Sequence, residues 1–177
     1  ILYFKQCGDA PIIIYTKGSI NLNAKRVVSI VGTRRATDYG KQITEKIIEG
    51  LSDLNDILVV SGLAYGIDIA AHKACLKYNI PTLGVLAHGL DRVYPQLHTQ
   101  VANQMQSQGG LLSDFMSGTK PDRENFPKRN RIIAGLADAT IVIEARKKGG
   151  ALITAGIANS YSRDVFAVPG RVGDENS

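Results

Sequence analysis

The stretch Lys120-Pro121-Asp122-Arg123-Glu124-Asn125-Phe126-Pro127-Lys128-Arg129-Asn130-Arg131 gathers side chains suited to holding a polyanion: clustered cations, amide donors and one flat apolar ring. A helix is expected to begin inside it. Pro127 suits the first helical position, where a missing N–H costs nothing, and Asn125 can cap just upstream. Ile132, Ile133 and Leu136 then recur at helical spacing and give a face to bury. This places Lys128, Arg129 and Arg131 in the first turn, at the positive end of the helix macrodipole, where each cation costs roughly 0.3–1 kcal/mol. An anion held there by backbone N–H groups and basic side chains would compensate them. With Phe126 beside them, phosphate plus base is the ligand that uses both features. The plainer alternative is a solvated loop and an ordinary core phenylalanine.

Four more segments read as loops with ligand-binding composition: Gly32-Thr33-Arg34, the run from Ser61 and Gly62 through Ala64 to Gly66, Gly89-Leu90-Asp91, and Lys147-Lys148-Gly149-Gly150. Glycine lets backbone N–H groups approach a ligand closely. Arg34 can fork two hydrogen bonds onto a phosphate, or serve as a surface arginine paired with a carboxylate. No G-x-G-x-x-G follows a strand and no G-x-x-x-x-G-K-[ST] occurs, which weighs against dinucleotide cofactors and ATP. Asp68 and His72, four apart, read as a satisfied structural pair. His72, His88 and His98 lack metal-ligand spacing, and Ser61 and Thr154 read as helix caps, not nucleophiles. No catalytic residue, metal or cofactor is assigned.

These loops need a frame. Short apolar runs at Ile12–Tyr15, Val27–Val31, Ile57–Val60, Thr82–Leu86, Leu111–Ser113, Thr140–Ile143 and Val165–Val168 read as strands. Helices are expected at about 38–54, to about 78, 96–106, from 127, and 151–161. Buried strands alternating with amphipathic helices indicate an α/β fold: a Rossmann-like, mostly parallel, doubly wound sheet with helices on both faces. Ligands of such sheets bind outside the carboxyl ends of the strands, where all these loops fall.

The chain has 177 residues, 44% hydrophobic and 21% charged, with a formal net charge of +5. Its pI near 9.3 favours a polyanionic partner. Cys7 and Cys75 are expected to be reduced thiols in a cytoplasmic protein, and no apolar run is long enough to span a membrane. No repeat or linker divides residues 1–177, which read as one domain. The start at Ile1 without a signal-peptide pattern, and the loop-like end at Asp174-Glu175-Asn176-Ser177, suggest a piece of a longer protein.

Four motifs carry a family resemblance: Ser61-Gly62-x-Ala64-x-Gly66-Ile67-Asp68 with Ala71-His72; Gly89-Leu90-Asp91-x-x-Tyr94-Pro95; Phe126-Pro127-x-Arg129-Asn130-Arg131-Ile132-Ile133-Ala134-Gly135-Leu136; and Ala167-Val168-Pro169-Gly170. In order and spacing, from about Val27 to Gly170, the chain resembles the bacterial DNA processing protein A family, also called DprA or Smf. The resemblance implies a non-enzymatic, dimeric core with an extended Rossmann-like fold that binds single-stranded DNA. It also implies protection of incoming strands in natural transformation and loading of the RecA recombinase on them. Carried over residue by residue, phosphate binding falls on Gly32, Thr33, Arg34, the Gly62–Ala64–Gly66 loop and Lys148-Gly149-Gly150. Arg123 would be the basic position before Phe126, which would stack on a base. Lys128, Arg129, Asn130 and Arg131 would frame the groove, with Arg129 and Asn130 alternatively bracing the loop from inside. Where the family usually shows Ser-Gly-Ser, this chain has Gly149-Gly150-Ala151, so phosphate contacts there must come from backbone N–H groups. The family's flanking domains are not in this sequence. Two competing readings are a nucleotide phosphoribohydrolase, whose P-G-G-x-G-T loop is not made by Pro169-Gly170-Arg171-Val172-Gly173, and a scaffold that meets only proteins.

Overall fold

The computed structural model describes Phe4, residues 7–147 and residues 149–170. Lys148, Ile1-Leu2-Tyr3 and residues 171–177 lie outside the described residues, with the expectations that rest on them.

Among the described residues the strands are β1 (Tyr15–Gly18), β2 (Arg26–Gly32), β3 (Ile57–Ser61), β4 (Thr82–Val85), β5 (Gly110–Ser113), β6 (Ala139–Ile143) and β7 (Asp164–Ala167). The helices are α1 (Asp38–Leu51), α2 (Ile67–Lys77), α3 (Thr99–Met105), α4 (Asn125–Leu136) and α5 (Gly150–Ser160). The strands form one sheet in the order β1-β5-β4-β3-β2-β6-β7. Every pairing is parallel except β1 with β5. Strand alternation divides the core. Val27, Val31, Leu58 and Val60 point to one face, against Ile132, Ile133 and Leu136 of α4 and Ala151 and Ala155 of α5. Ile30, Ile57 and Val59 point to the other, against Ile48 of α1 and Ile67 and Ala71 of α2. The chain steps outward from β2 through β3 and β4 to β5. It then crosses back through α4 to place β6 on the far side of β2. Loops leaving β2 and β6 therefore diverge to opposite faces and open a crevice between them, the switch point of a doubly wound sheet.

Three expected boundaries move. The edge strand is Tyr15–Gly18, not Ile12–Tyr15, because β5 pairs with Tyr15 through Gly18 and leaves Ile12 and Ile13 exposed. The segment at 96–106 splits into a 3-10 turn at Gln96–His98 and α3. Helix α4 starts at Asn125, so Pro127 occupies its third position. Proline is tolerated there as well, since all early helical N–H groups lack intrahelical partners. Asn125 does not cap: its side-chain amide donates to Lys120 O at 3.2 Å. Lys128, Arg129 and Arg131 consequently lie past the first three helical residues, and the expected macrodipole penalty on them is weaker.

Fully buried His72 ties α2 to the sheet. Its Nε2 donates to Gly62 O at 2.5 Å and its Nδ1 accepts from the Thr82 hydroxyl at 2.7 Å. It makes no pair with Asp68, whose carboxylate accepts from Ala64 N at 3.4 Å. Burial lowers the His72 pKa to about 4. The unfolded chain binds this proton first, so the stability contribution is intact above the ordinary pKa of 6.5 and is lost as pH falls towards 4. Urea unfolding should show His72→Gln losing about 3 kcal/mol less between neutral pH and pH 4 than the parent. An unchanged acid limb would refute this assignment.

Candidate nucleic-acid interface

The β2 and β6 loops are locked together before either meets a ligand. Thr33 N donates to Glu144 O at 2.7 Å. Glu144, in the left-handed region at φ 52°, turns its carboxylate onto the start of α1. There it accepts from Thr37 N at 2.9 Å and from the Thr37 hydroxyl. Thr37 in turn accepts from Gly40 N at 3.1 Å and caps the helix. A Cβ on Gly40 would fall 2.5 Å from Glu144 Oε2, so glycine there makes room for the carboxylate. The helix terminus that holds a pyrophosphate in a dinucleotide-binding fold is thus filled by the chain's own anion.

The β3 loop packs on the β2 loop. Ile67 N donates to Thr33 O at 3.2 Å, and Gly66 sits at φ 78° with its missing Cβ 2.1 Å from that same oxygen. The absent Cβ of Gly62 would meet Asp68 Oδ2 at 2.4 Å and Arg129 Nη1 at 2.8 Å. These glycines make room for contacts within the protein, and Gly62 and Gly66 are not among the residues lining the crevice. Ser61 and Thr154, expected as caps, donate their hydroxyls to Ile30 O at 2.6 Å and Gly150 O at 3.2 Å.

Above this platform lies a trough of about 640 Å³. Among the described residues, Arg34, Arg35, Arg123, Arg129 and Arg146 line it, with Asp68 its only carboxylate. Arg34 is exposed and stacks its guanidinium 5.1 Å from the centre of the Phe126 ring. Tyr94, half exposed, lies 6.2 Å from Phe126 between ring centres. Gly32 and Thr33 line one wall, Ala64 sits beside Arg34, and Gly149 and Gly150 form the start of α5. Among the described residues no side chain caps α5, whose first N–H groups open on the trough. Helical phase sorts α4. Phe126, Arg129, Asn130 and Ile133 recur at i, i+3, i+4 and i+7 and face the trough. Lys128 is exposed outside the lining, and Arg131 is turned away, donating to Asp9 O and to Asp114 Oδ2 at 2.5 Å. Lys148 lies outside the described residues.

Arg129 is 5% exposed. Its Nη1 donates to Val85 O at the end of β4, and its Nε donates to Asn130 Oδ1 at 3.2 Å. Asn130 Nδ2 then reaches Gly150 O at 3.4 Å. Burial lowers the Arg129 pKa to about 10, with Asp68 opposing the shift, so the group stays cationic at neutral pH. Burial raises the Asp68 pKa, and Arg129 counteracts it. The pair Arg129 and Asn130 thus fastens α4 to β4 and to the start of α5, as the bracing alternative describes. Spacing alone did not single out Tyr94, Arg35, Arg146 or Glu144. Tyr94 was visible only as an aromatic within the Gly89–Pro95 motif, and Glu144 gave no signal, because its partner Thr37 is remote in sequence.

A doubly wound sheet with an arginine-lined trough and an aromatic ring at its switch point defines a Rossmann-like domain with an open cationic crevice. The sequence profile of DNA recombination-mediator protein A matches residues 2–177. The chain belongs to that family, as the motifs implied. It is 51% identical over 142 residues to protein Smf of Synechocystis, covering 80% of this chain and 35% of that protein. The X-ray structure of DNA processing protein A from Streptococcus pneumoniae superposes with a TM-score of 0.92 at 39% identity, covering 98% of this chain and 60% of the other. The structure describing the single-stranded DNA binding mode of DNA processing protein A from Helicobacter pylori superposes at 0.90 with 31% identity, covering 98% and 80%. The chain therefore spans about a third of the Synechocystis protein's length. Among the described residues no helix is long and apolar enough to cross a membrane.

Two glycines separate packing from access. Gly66→Ala should lower stability by about 1–3 kcal/mol through its strained φ and its collision with Thr33 O. Gly150→Ala, with nothing within 4 Å of the added carbon, should fall within about 1 kcal/mol of the parent. Equal losses in urea melts would contradict this division.

Proposed function

We propose that the chain binds single-stranded DNA without sequence preference. In this reading it protects incoming strands in natural transformation and competence and serves the loading of the RecA recombinase on them. The observation that carries it is Arg34 stacked on Phe126 at the mouth of an arginine-lined trough. One phosphate is held by Arg34 and the N–H groups at the start of α5, while the following base stacks on Phe126. Arg123 and Arg35 extend the positive path along the backbone. The proposal takes residues 1–177 as one DNA-binding domain, acting in the cytoplasm as a homodimer with no cofactor and no catalysis. The engagement of the two nearest carboxylates supports the last point: Asp68 is buried against Arg129 and Glu144 is committed to Thr37. A nucleotide hydrolase would need one of them free to act on substrate.

With about five phosphates neutralised, log K should fall with log[salt] at a slope near −3.5. Arg34→Ala and Arg123→Ala should each weaken binding to all sequences alike and flatten that slope by roughly one contact. Phe126→Ala should weaken binding by about 1–3 kcal/mol per stacked base and leave the slope unchanged. Filter binding across a salt series distinguishes the two behaviours. Single-strand affinity untouched by both arginine changes would refute the proposal, and release of free base from nucleoside monophosphates would favour the hydrolase.

A further inference from the structure

Behind Phe126 the trough opens into a smaller hollow of about 30 Å³, with Tyr65 and Tyr94 among its walls and His88 and Arg129 among its lining. Both tyrosines are 47% exposed, so their rings stand at the rim with one side in solvent. Tyr65 is propped edge-on by His98, ring centres 5.0 Å apart. The remaining wall is largely apolar, with Leu63, Leu86 and Ala87 among it.

The hollow's polar lining includes Arg34, Arg129 and His88, of which His88 is 1% exposed. The His88 Nδ1 lies 2.9 Å from Gly89 O, a carbonyl that can only accept, so the ring proton sits on Nδ1. Nε2 is then an acceptor, buried and, among the described residues, without a hydrogen-bond partner. An unpaired buried acceptor is costly, and a binding site is one place where such a group is kept. Burial lowers the pKa of this imidazole, reinforced by the nearby Arg129 charge, which keeps it neutral.

We propose that this hollow is a second nucleobase site beside Phe126, in which the edge of a base donates an N–H hydrogen bond to His88 Nε2. The space is too small for a whole heterocycle but exceeds the roughly 10–15 Å³ that one water requires, so a ring held at the tyrosine rim inserts only its edge. Arg129 on the same lining places positive charge beside the acceptor. A base edge carrying N–H next to C=O, as in thymine or guanine, matches both groups at once. The strand is then gripped by phosphate contacts, by stacking on Phe126 and by one contact to a base edge.

This inference rests on the single-strand reading, and the test separates the two. Fluorescence anisotropy compares oligo-dT with an oligomer of the same length made of N3-methylthymidine, which keeps the stacking surface and lacks the imide N–H. The parent protein should bind oligo-dT roughly three- to tenfold more tightly than the methylated strand. His88→Leu should lose that preference, and His88→Gln, whose amide oxygen restores an acceptor, should keep it. The comparison on the parent protein stands whether or not the leucine variant folds. Equal binding of the two strands by the parent overturns the base-edge site and leaves the single-strand reading intact. Failure to bind oligo-dT at all overturns both.

Discussion

The site is organised by a positive charge placed inside the protein. Arg129 brings its guanidinium to the carbonyl end of β4 and, through Asn130, fastens the start of α5. A buried guanidinium survives only when its donors are matched and a counter-charge is near, here Asp68. The space for that arrangement is the missing side chain of Gly62. One electrostatic requirement therefore fixes the relative positions of the β3 loop, the β4 end, α4 and α5. Arg34, Phe126 and the opening of α5 inherit their geometry from it.

Much of this was legible in the sequence. The α/β fold followed from apolar runs alternating with amphipathic segments, and the split of Ile30 from Val31 to opposite faces is that alternation in space. Arg34 and Phe126 stood out by residue type and loop position. What misled was reading Lys128 through Arg131 as a block. A helix turns about 100° per residue, so neighbours in sequence face different ways and Arg131 ends on Asp114. The i, i+3, i+4, i+7 set running from Phe126 to Ile133 was readable from spacing but obscured by the run of charges. The start of α4 was misplaced because proline is equally at home anywhere in the first turn.

The glycine-rich loops carry a related lesson. Their composition suggested backbone exposed to a ligand, yet Gly62 and Gly66 serve contacts within the protein. Sequence shows that a side chain is missing but not which neighbour fills the gap, because Thr33, Asp68 and Arg129 reach those positions only through the crossovers of the sheet. Gly150, with open space around it, is the different case.

Glu144 has a consequence for selectivity. Small soluble cofactors dock on folds of this kind at the first helix of the sheet, and here an internal carboxylate already occupies that position. The remaining anchors are strung along an open channel, each weak by itself. On the proposed function, a monomeric metabolite engages one of them at a time, whereas a polymer with regularly spaced charges engages several together. Discrimination of strand from monomer then comes from a vacancy the protein has closed to everything else.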